Sequence, residues 1–286
     1  MYTTRNSTVL NSIYPWLRLP PTPKLPLPHA GQYALVNGIR IWYTIYGPAD
    51  GIPILFLHGG FANSDYWGLQ VKQLQSTYKC ILMDSRGQGR SPSSATNITY
   101  DLMTSDVIGL LDYLDITRIH LVGWSDGAII GLNMAMKYPR RLISLFAFAA
   151  NYDSSGAKDI LASPVFPAYL TRSKSEYEQM SPVNNYQDLY NNLTTMWSTL
   201  PNCCDVVIVK EIINQLWTSY KTVNRLYSSV NSHRHNSNIP IIEITHNENN
   251  NKEFHRQRIS DILLSILSIN KKDHYLKNEN FENKYL

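Results

Sequence analysis

"HLVGWSDGAIIG", residues 120–131, is an apolar run that stops at Gly123-Trp124-Ser125-Asp126-Gly127 and resumes as a second run of small apolar residues. The first run has the uniform hydrophobicity of a strand buried on both faces. The second has the length and period of a buried helix, ended by Pro139. Between them a serine sits with glycine two residues before and two after. A nucleophilic serine needs to be lifted clear of a sheet and set beside hydrogen-bond donors, and a sharp strand-to-helix turn does both. Such a turn crowds the flanking positions, so Gly123 and Gly127 are the expected small residues of a nucleophile elbow around Ser125. The amides that open the following helix face developing negative charge.

Working outward, the same rhythm recurs. "YALVNGIRIWYTIYG" (33–47) alternates around Asn-Gly and reads as a hairpin. "IPILFLHGG" (52–60), "KCILMD" (79–84), "IHLVGW" (119–124) and "LISLFAFAA" (142–150) read as buried strands. Between the second and third of these, Val107, Leu110, Leu111 and Leu114 share one helical face. Strands alternating with helices predict a mostly parallel twisted sheet covered on both faces. Residues 153–202 break the pattern with short amphipathic pieces, an insertion over the sheet. "QLWTSY" (215–220) and "IPIIEIT" (239–245) are candidate later strands. Residues 252–267 form a closing helix with Ile259, Ile262, Leu263 and Ile266 on one face. The expected division is a proline-rich arm over 1–30, a domain over 31–269 and a polar tail over 270–286.

Composition narrows the function classes. The chain has 286 residues, 43% hydrophobic and 17% charged, which suits one large α/β domain. Its net charge of +4 is scattered, with no basic stripe interleaved with aromatics, so no nucleic-acid partner is expected. No run reaches the roughly 18 apolar residues of a membrane helix, so no membrane partner is expected either. Three cysteines, two of them adjacent, make no disulfide framework, which points to a reducing, cytoplasmic setting. His233 and His235 form an H-x-H pair without the carboxylate or cysteine partners of a metal site, so neither metal nor cofactor is expected.

Acyl transfer to a serine needs at least two donors for the oxyanion. One is the amide of Asp126, directly after Ser125. The other is expected from "FLHGG", at Gly60 or Phe61, where glycine lets the backbone approach closely. His58, at a strand end before the glycines, reads as a loop brace.

With His58-Gly59-Gly60, "DSRGQGRS" (84–91) and Gly123–Gly127 in this order and spacing, the chain resembles the α/β-hydrolase fold superfamily, in its serine-nucleophile esterase- or peptidase-like class. Gln88 stands where a histidine is common in that class. The resemblance implies an eight-stranded sheet with a small helical cap in the insertion, and an order of serine, acid, histidine along the chain. It implies His246, after "IPIIEIT", as the histidine. For the acid it leaves alternatives: Asn224 stands where an aspartate would follow "QLWTSY", Asp153 after the fourth buried strand is an alternative site, and Asp205 lies upstream. The implied activity is hydrolysis of an ester, thioester or amide bond of a small-molecule substrate through an acyl-enzyme. Trp67, Trp124, Phe166 and Tyr169 are candidates for an apolar acyl pocket. The alternative is a catalytically impaired member that binds a small ligand or partner.

Overall fold

The computed structural model describes residues 19–27, 31–93, 97–151, 153–156, 163, 165–202 and 241–244. Seven strands among them form one sheet in the order β1-β2-β4-β3-β5-β6-β7. β1 (Gln32–Val36) and β2 (Ile39–Tyr46) are the hairpin, turning at Asn37 and Gly38, both in the left-handed region at φ 46° and 78°. β2 also runs antiparallel to β4 (Tyr78–Met83). From there β4, β3 (Ile52–Leu57), β5 (Ile119–Trp124), β6 (Leu142–Phe148) and β7 (Ile241–Ile244) are all parallel. Their carboxyl ends therefore share one edge, where parallel α/β sheets gather their ligand-binding loops.

The near-continuous apolar strands make sense because both faces are covered. Leu55, Leu57, Ile81, Met83 and Leu121 pack with α2 (Tyr100–Tyr113) and α3 (Asp126–Lys137). Ile54, Phe56, Cys80, Leu82 and Val122 pack on the other face, with Val71 and Leu74 of α1 (Gly68–Leu74). Alternate residues of one strand thus serve two cores, as the period of two in a strand requires. Thr99 caps α2 by accepting from the Leu102 amide at 3.1 Å. Residues 19–27 lie on the domain. Leu25 is buried in the second core, and Gly68 is glycine because a Cβ there would come within 2.5 Å of the Lys24 carbonyl oxygen.

Two differences from the sequence expectation concern the later part of the chain. The insertion holds two full helices, α4 (Phe166–Met180) and α5 (Tyr186–Thr199), rather than short pieces. Their buried stripes are Tyr169, Ser173 and Tyr177 on one, and Leu189, Leu193 and Met196 on the other. The spacing is helical, but serine and tyrosine dilute the apolar signal. Secondly, β7 pairs directly with β6, from Leu145↔Ile241 to Phe148↔Ile244. The strand expected between them, at 215–220, lies outside the described residues, as do the closing helix at 252–267 and the terminal tail.

Candidate active site

The chain leaves β5 and enters α3 through Ser125, whose φ of 52° and ψ of −122° are strained for any residue with a Cβ. The turn is held from both sides. The Ser125 amide donates to the Phe148 carbonyl at 2.9 Å, while the Ser125 carbonyl accepts from the Ala128 and Ile129 amides at 2.9 and 3.0 Å. Neighbouring backbone dictates the glycines. A Cβ on Gly123 would stand 2.3 Å from the Gly127 carbonyl oxygen, and one on Gly127 would stand 2.3 Å from the Leu57 carbonyl oxygen. Ser125 is thus part-exposed at the carboxyl edge of the sheet, as an elbow requires.

The loop after β3 lies against it, since a Cβ on Gly59 would come within 3.0 Å of the Ser125 Cβ. His58 braces this loop. Its Nε2 accepts from the Ser85 amide at 2.9 Å, so Nδ1 carries the proton and donates to the Gly59 carbonyl at 2.8 Å. Burial pushes the His58 imidazole below its ordinary value, against the pull of the Asp84 charge. With both ring nitrogens engaged and the ring neutral, His58 is a fixed strut. The "DSRGQGRS" segment ties the same loop down. Asp84 accepts from the Ser64 amide at 2.7 Å and the Arg90 amide at 2.8 Å, and the Arg86 guanidinium forks onto Asp106 with two bonds of 2.6 Å. Gln88 accepts from the Phe61 amide at 2.8 Å, which explains a glutamine at that position. The Phe61 donor is therefore already engaged. The Gly60 amide has no hydrogen-bond partner among the described residues, and the Asp126 amide, in the first turn of α3, has none within its helix.

The Asp126 side chain is a feature that sequence reasoning missed, having singled out only its amide. The carboxyl is buried against Gly60, where a Cβ would sit 2.7 Å from its Oδ2. The Tyr100 hydroxyl donates to Oδ1 at 2.8 Å, and the Trp197 indole Nε1 donates to Oδ1 and Oδ2 at 2.9 and 3.1 Å. Burial raises this carboxyl to about 6, and the bonds from Tyr100 and Trp197 oppose the rise. The phenol of Tyr100 is pushed up by burial first and by the Asp126 charge second. Tyr169, from α4, donates its hydroxyl to the Gly60 carbonyl at 2.5 Å. Phe61 sits among Tyr186, Tyr190 and Trp197, with ring centroids 5.3 to 5.8 Å away. The only sequence signal for this cluster was a carboxylate opening an otherwise apolar helix.

Trp124 lies tilted against Tyr66 with ring centroids 6.1 Å apart, and Phe166 lies 5.5 Å from Tyr169. Trp67 instead packs on Phe56 at 5.3 Å, within the core beneath α1. Asp153 is part-exposed. Its carboxylate accepts from the Ser155 amide at 2.8 Å, and Ser155 holds it below its ordinary value. Its backbone forms a bridge to Asn202. His246, Asp205, Asn224, His233 and His235 lie outside the described residues. Among the described residues no group of three His, Cys, Asp or Glu could hold a metal ion, and no helix is long and apolar enough to cross a membrane.

Known proteins bear on this arrangement. Over 104 residues, 35% of this chain, it is 35% identical to the sn-1-specific diacylglycerol lipase ABHD11 of Danio rerio, covering 32% of that protein. Over 117 residues, 41% of this chain, it is 29% identical to 3-oxoadipate enol-lactonase 2 of Acinetobacter baylyi, covering 44% of that protein. Over 98 residues, 34% of this chain, it is 35% identical to the non-heme chloroperoxidase of Streptomyces lividans, covering 36% of that protein. The chain spans less than half the length of these curated relatives. Among solved structures, a hydrolase from Pseudomonas aeruginosa PA01 superposes with a TM-score of 0.49 at 20% identity, covering 60% of this chain and 74% of that one. The family model described as alpha/beta hydrolase fold matches residues 52–253, from the start of β3 to beyond β7. With the parallel sheet, the helices on both faces and the strained serine elbow, that match makes the chain a member of the α/β hydrolase fold family.

Proposed function

We propose that this protein is a serine hydrolase that cleaves an ester, thioester or amide bond of a small-molecule substrate through an acyl-enzyme on Ser125. The observation that carries the reading is the strained backbone of Ser125 at φ 52°, braced on both sides between a buried strand and a helix start. A fold retains such a conformation where surrounding structure enforces it, and active sites are where such strain clusters. In the proposed reaction the Ser125 oxygen attacks the acyl carbon and His246 takes its proton. The amides of Gly60 and Asp126 receive the oxyanion, since that of Phe61 is occupied by Gln88. The tetrahedral species collapses as His246 returns the proton to the leaving group, and water then repeats the sequence to release the acid. Asp153 is the proposed acid that orients His246. Relatives whose names record a lipase and an enol-lactonase agree with acyl transfer as the class of chemistry.

We further propose a hydrolase domain over residues 31–269 with the cap at about 153–202, acting in the cytoplasm without a metal or cofactor and without a nucleic-acid or membrane partner. A fluorophosphonate probe followed by intact mass tests the reading. Wild type gains one adduct, Ser125→Ala gains none, and His246→Ala is labelled far more slowly. Folded wild-type protein that takes no label sinks it. Asp153→Asn then tests the acid: slower labelling supports Asp153 in that role, and an unchanged rate removes it from the role.

A further inference from the structure

We propose that the two cap helices position the oxyanion-forming backbone, Tyr169 of α4 through the Gly60 carbonyl and Trp197 of α5 through the Asp126 carboxyl. This rests on the acyl-transfer reading of Ser125 and adds to it two positioning residues from the cap. The geometry at Gly60 carries the first half. The peptide between Gly60 and Phe61 is clamped at both ends, its oxygen by the Tyr169 hydroxyl at 2.5 Å and its N–H by Gln88 at 2.8 Å. A peptide unit is planar, so fixing both ends fixes its plane. The preceding peptide, which carries the Gly60 amide, is held at its oxygen by His58 Nδ1 at 2.8 Å and the Ala62 amide at 3.2 Å, so the Tyr169 bond braces Gly60 from its other side. Phe61 is itself at φ 61°, which a residue with a Cβ holds only under constraint.

The geometry at Asp126 carries the second half. The Trp197 indole N–H bridges both carboxyl oxygens, and the Tyr100 hydroxyl takes the remaining approach to Oδ1. The side chain of the first residue of α3 is thereby tied to α5, directly beside the amide that is to receive the oxyanion. The Trp197 ring also lies on Gly60, where a Cβ would come within 2.3 Å of it. It meets Phe61 edge-on at 5.3 Å. Tyr177 and Tyr186 join the two cap helices at 5.7 Å, so the latches belong to one packed pair. Both latches therefore come from the cap and act on the two segments that carry the proposed oxyanion donors.

The test compares wild type, Tyr169→Phe and Trp197→Phe, which delete a donor and keep an aromatic ring. It reads the fluorophosphonate inactivation rate, its saturation constant and amide hydrogen exchange. Positioning lowers the limiting inactivation rate about tenfold in each variant, the worth of one ordering hydrogen bond, and leaves the saturation constant within about twofold. Exchange speeds up at the Phe61 and Ala62 amides in Tyr169→Phe and at the Ala128 and Ile129 amides in Trp197→Phe, while β4 amides keep their wild-type rates. Variants that label at the wild-type rate, or whose exchange is unchanged in those segments, overturn the proposal. A wild type that takes no label defeats the acyl-transfer reading instead, and exchange alone then decides whether the cap holds these segments.

Discussion

Asp126→Asn separates the charge of the buried carboxyl from its shape. In the folded protein this group is raised from 3.8 to about 6, chiefly by burial. The protonated form is thus the one the fold favours. Its stabilising contribution is fully present below about pH 4 and is lost as pH rises through about 6. The rise corresponds to about 3 kcal/mol. Asparagine does not titrate, so it lacks this slope. Its amide oxygen at the Oδ1 position can still accept from Tyr100 and Trp197. Its NH2 at the Oδ2 position faces the Trp197 N–H, where the carboxyl oxygen stands 3.1 Å away. That mismatch shifts the variant's stability by an amount independent of pH. The assay is urea unfolding followed by far-UV circular dichroism at steps from about pH 4 to about pH 8, with the difference between wild type and variant taken at each pH so that all other titrating groups cancel. Wild type loses about 2.5 kcal/mol relative to Asp126→Asn across the interval. Parallel curves refute the reasoning, since they mean either that water reaches the carboxyl or that Tyr100 and Trp197 offset the burial completely.

Two further substitutions test the frame of the site. Ser125→Gly relieves the left-handed strain at the elbow and raises stability by about 1 kcal/mol over Ser125→Ala, read as a higher melting temperature. Equal melting temperatures mean the turn is unstrained. Asp106→Ala removes the carboxylate onto which the buried Arg86 guanidinium forks and costs about 3–5 kcal/mol in the same urea assay. A loss below about 1 kcal/mol indicates that the pair is solvated.

The fold and the centre of the candidate site were readable because both rest on local rules. The uniform apolarity of residues 52–57, 79–83 and 119–124 announces strands with two cores, and Asn37-Gly38 announces a left-handed hairpin turn. The glycines around Ser125 announce backbone crowding, which the contacts of Gly123 and Gly127 display. His58 as a brace followed from its place before the glycines. The helices α4 and α5 were not readable as such, because their buried stripes mix tyrosine, serine and methionine. Gln88 illustrates a different limit. Its departure from the usual histidine was visible, but its acceptance of the Phe61 proton depends on two loops meeting across 27 residues of sequence.

The sequence by itself determined that this protein is a parallel α/β sheet with a serine raised at a strand-to-helix elbow. The determinants are hydrophobic period and glycine placement, which act through neighbours along the chain. Tertiary structure alone decided that the Phe61 amide is taken by Gln88, and that Tyr100, Tyr169 and Trp197 converge on Gly60 and the Asp126 carboxyl. Those contacts join residues 26 to 109 positions apart, with their strength and charge state set by burial. Burial at a point in space is a property of the packed chain, and no local pattern encodes it.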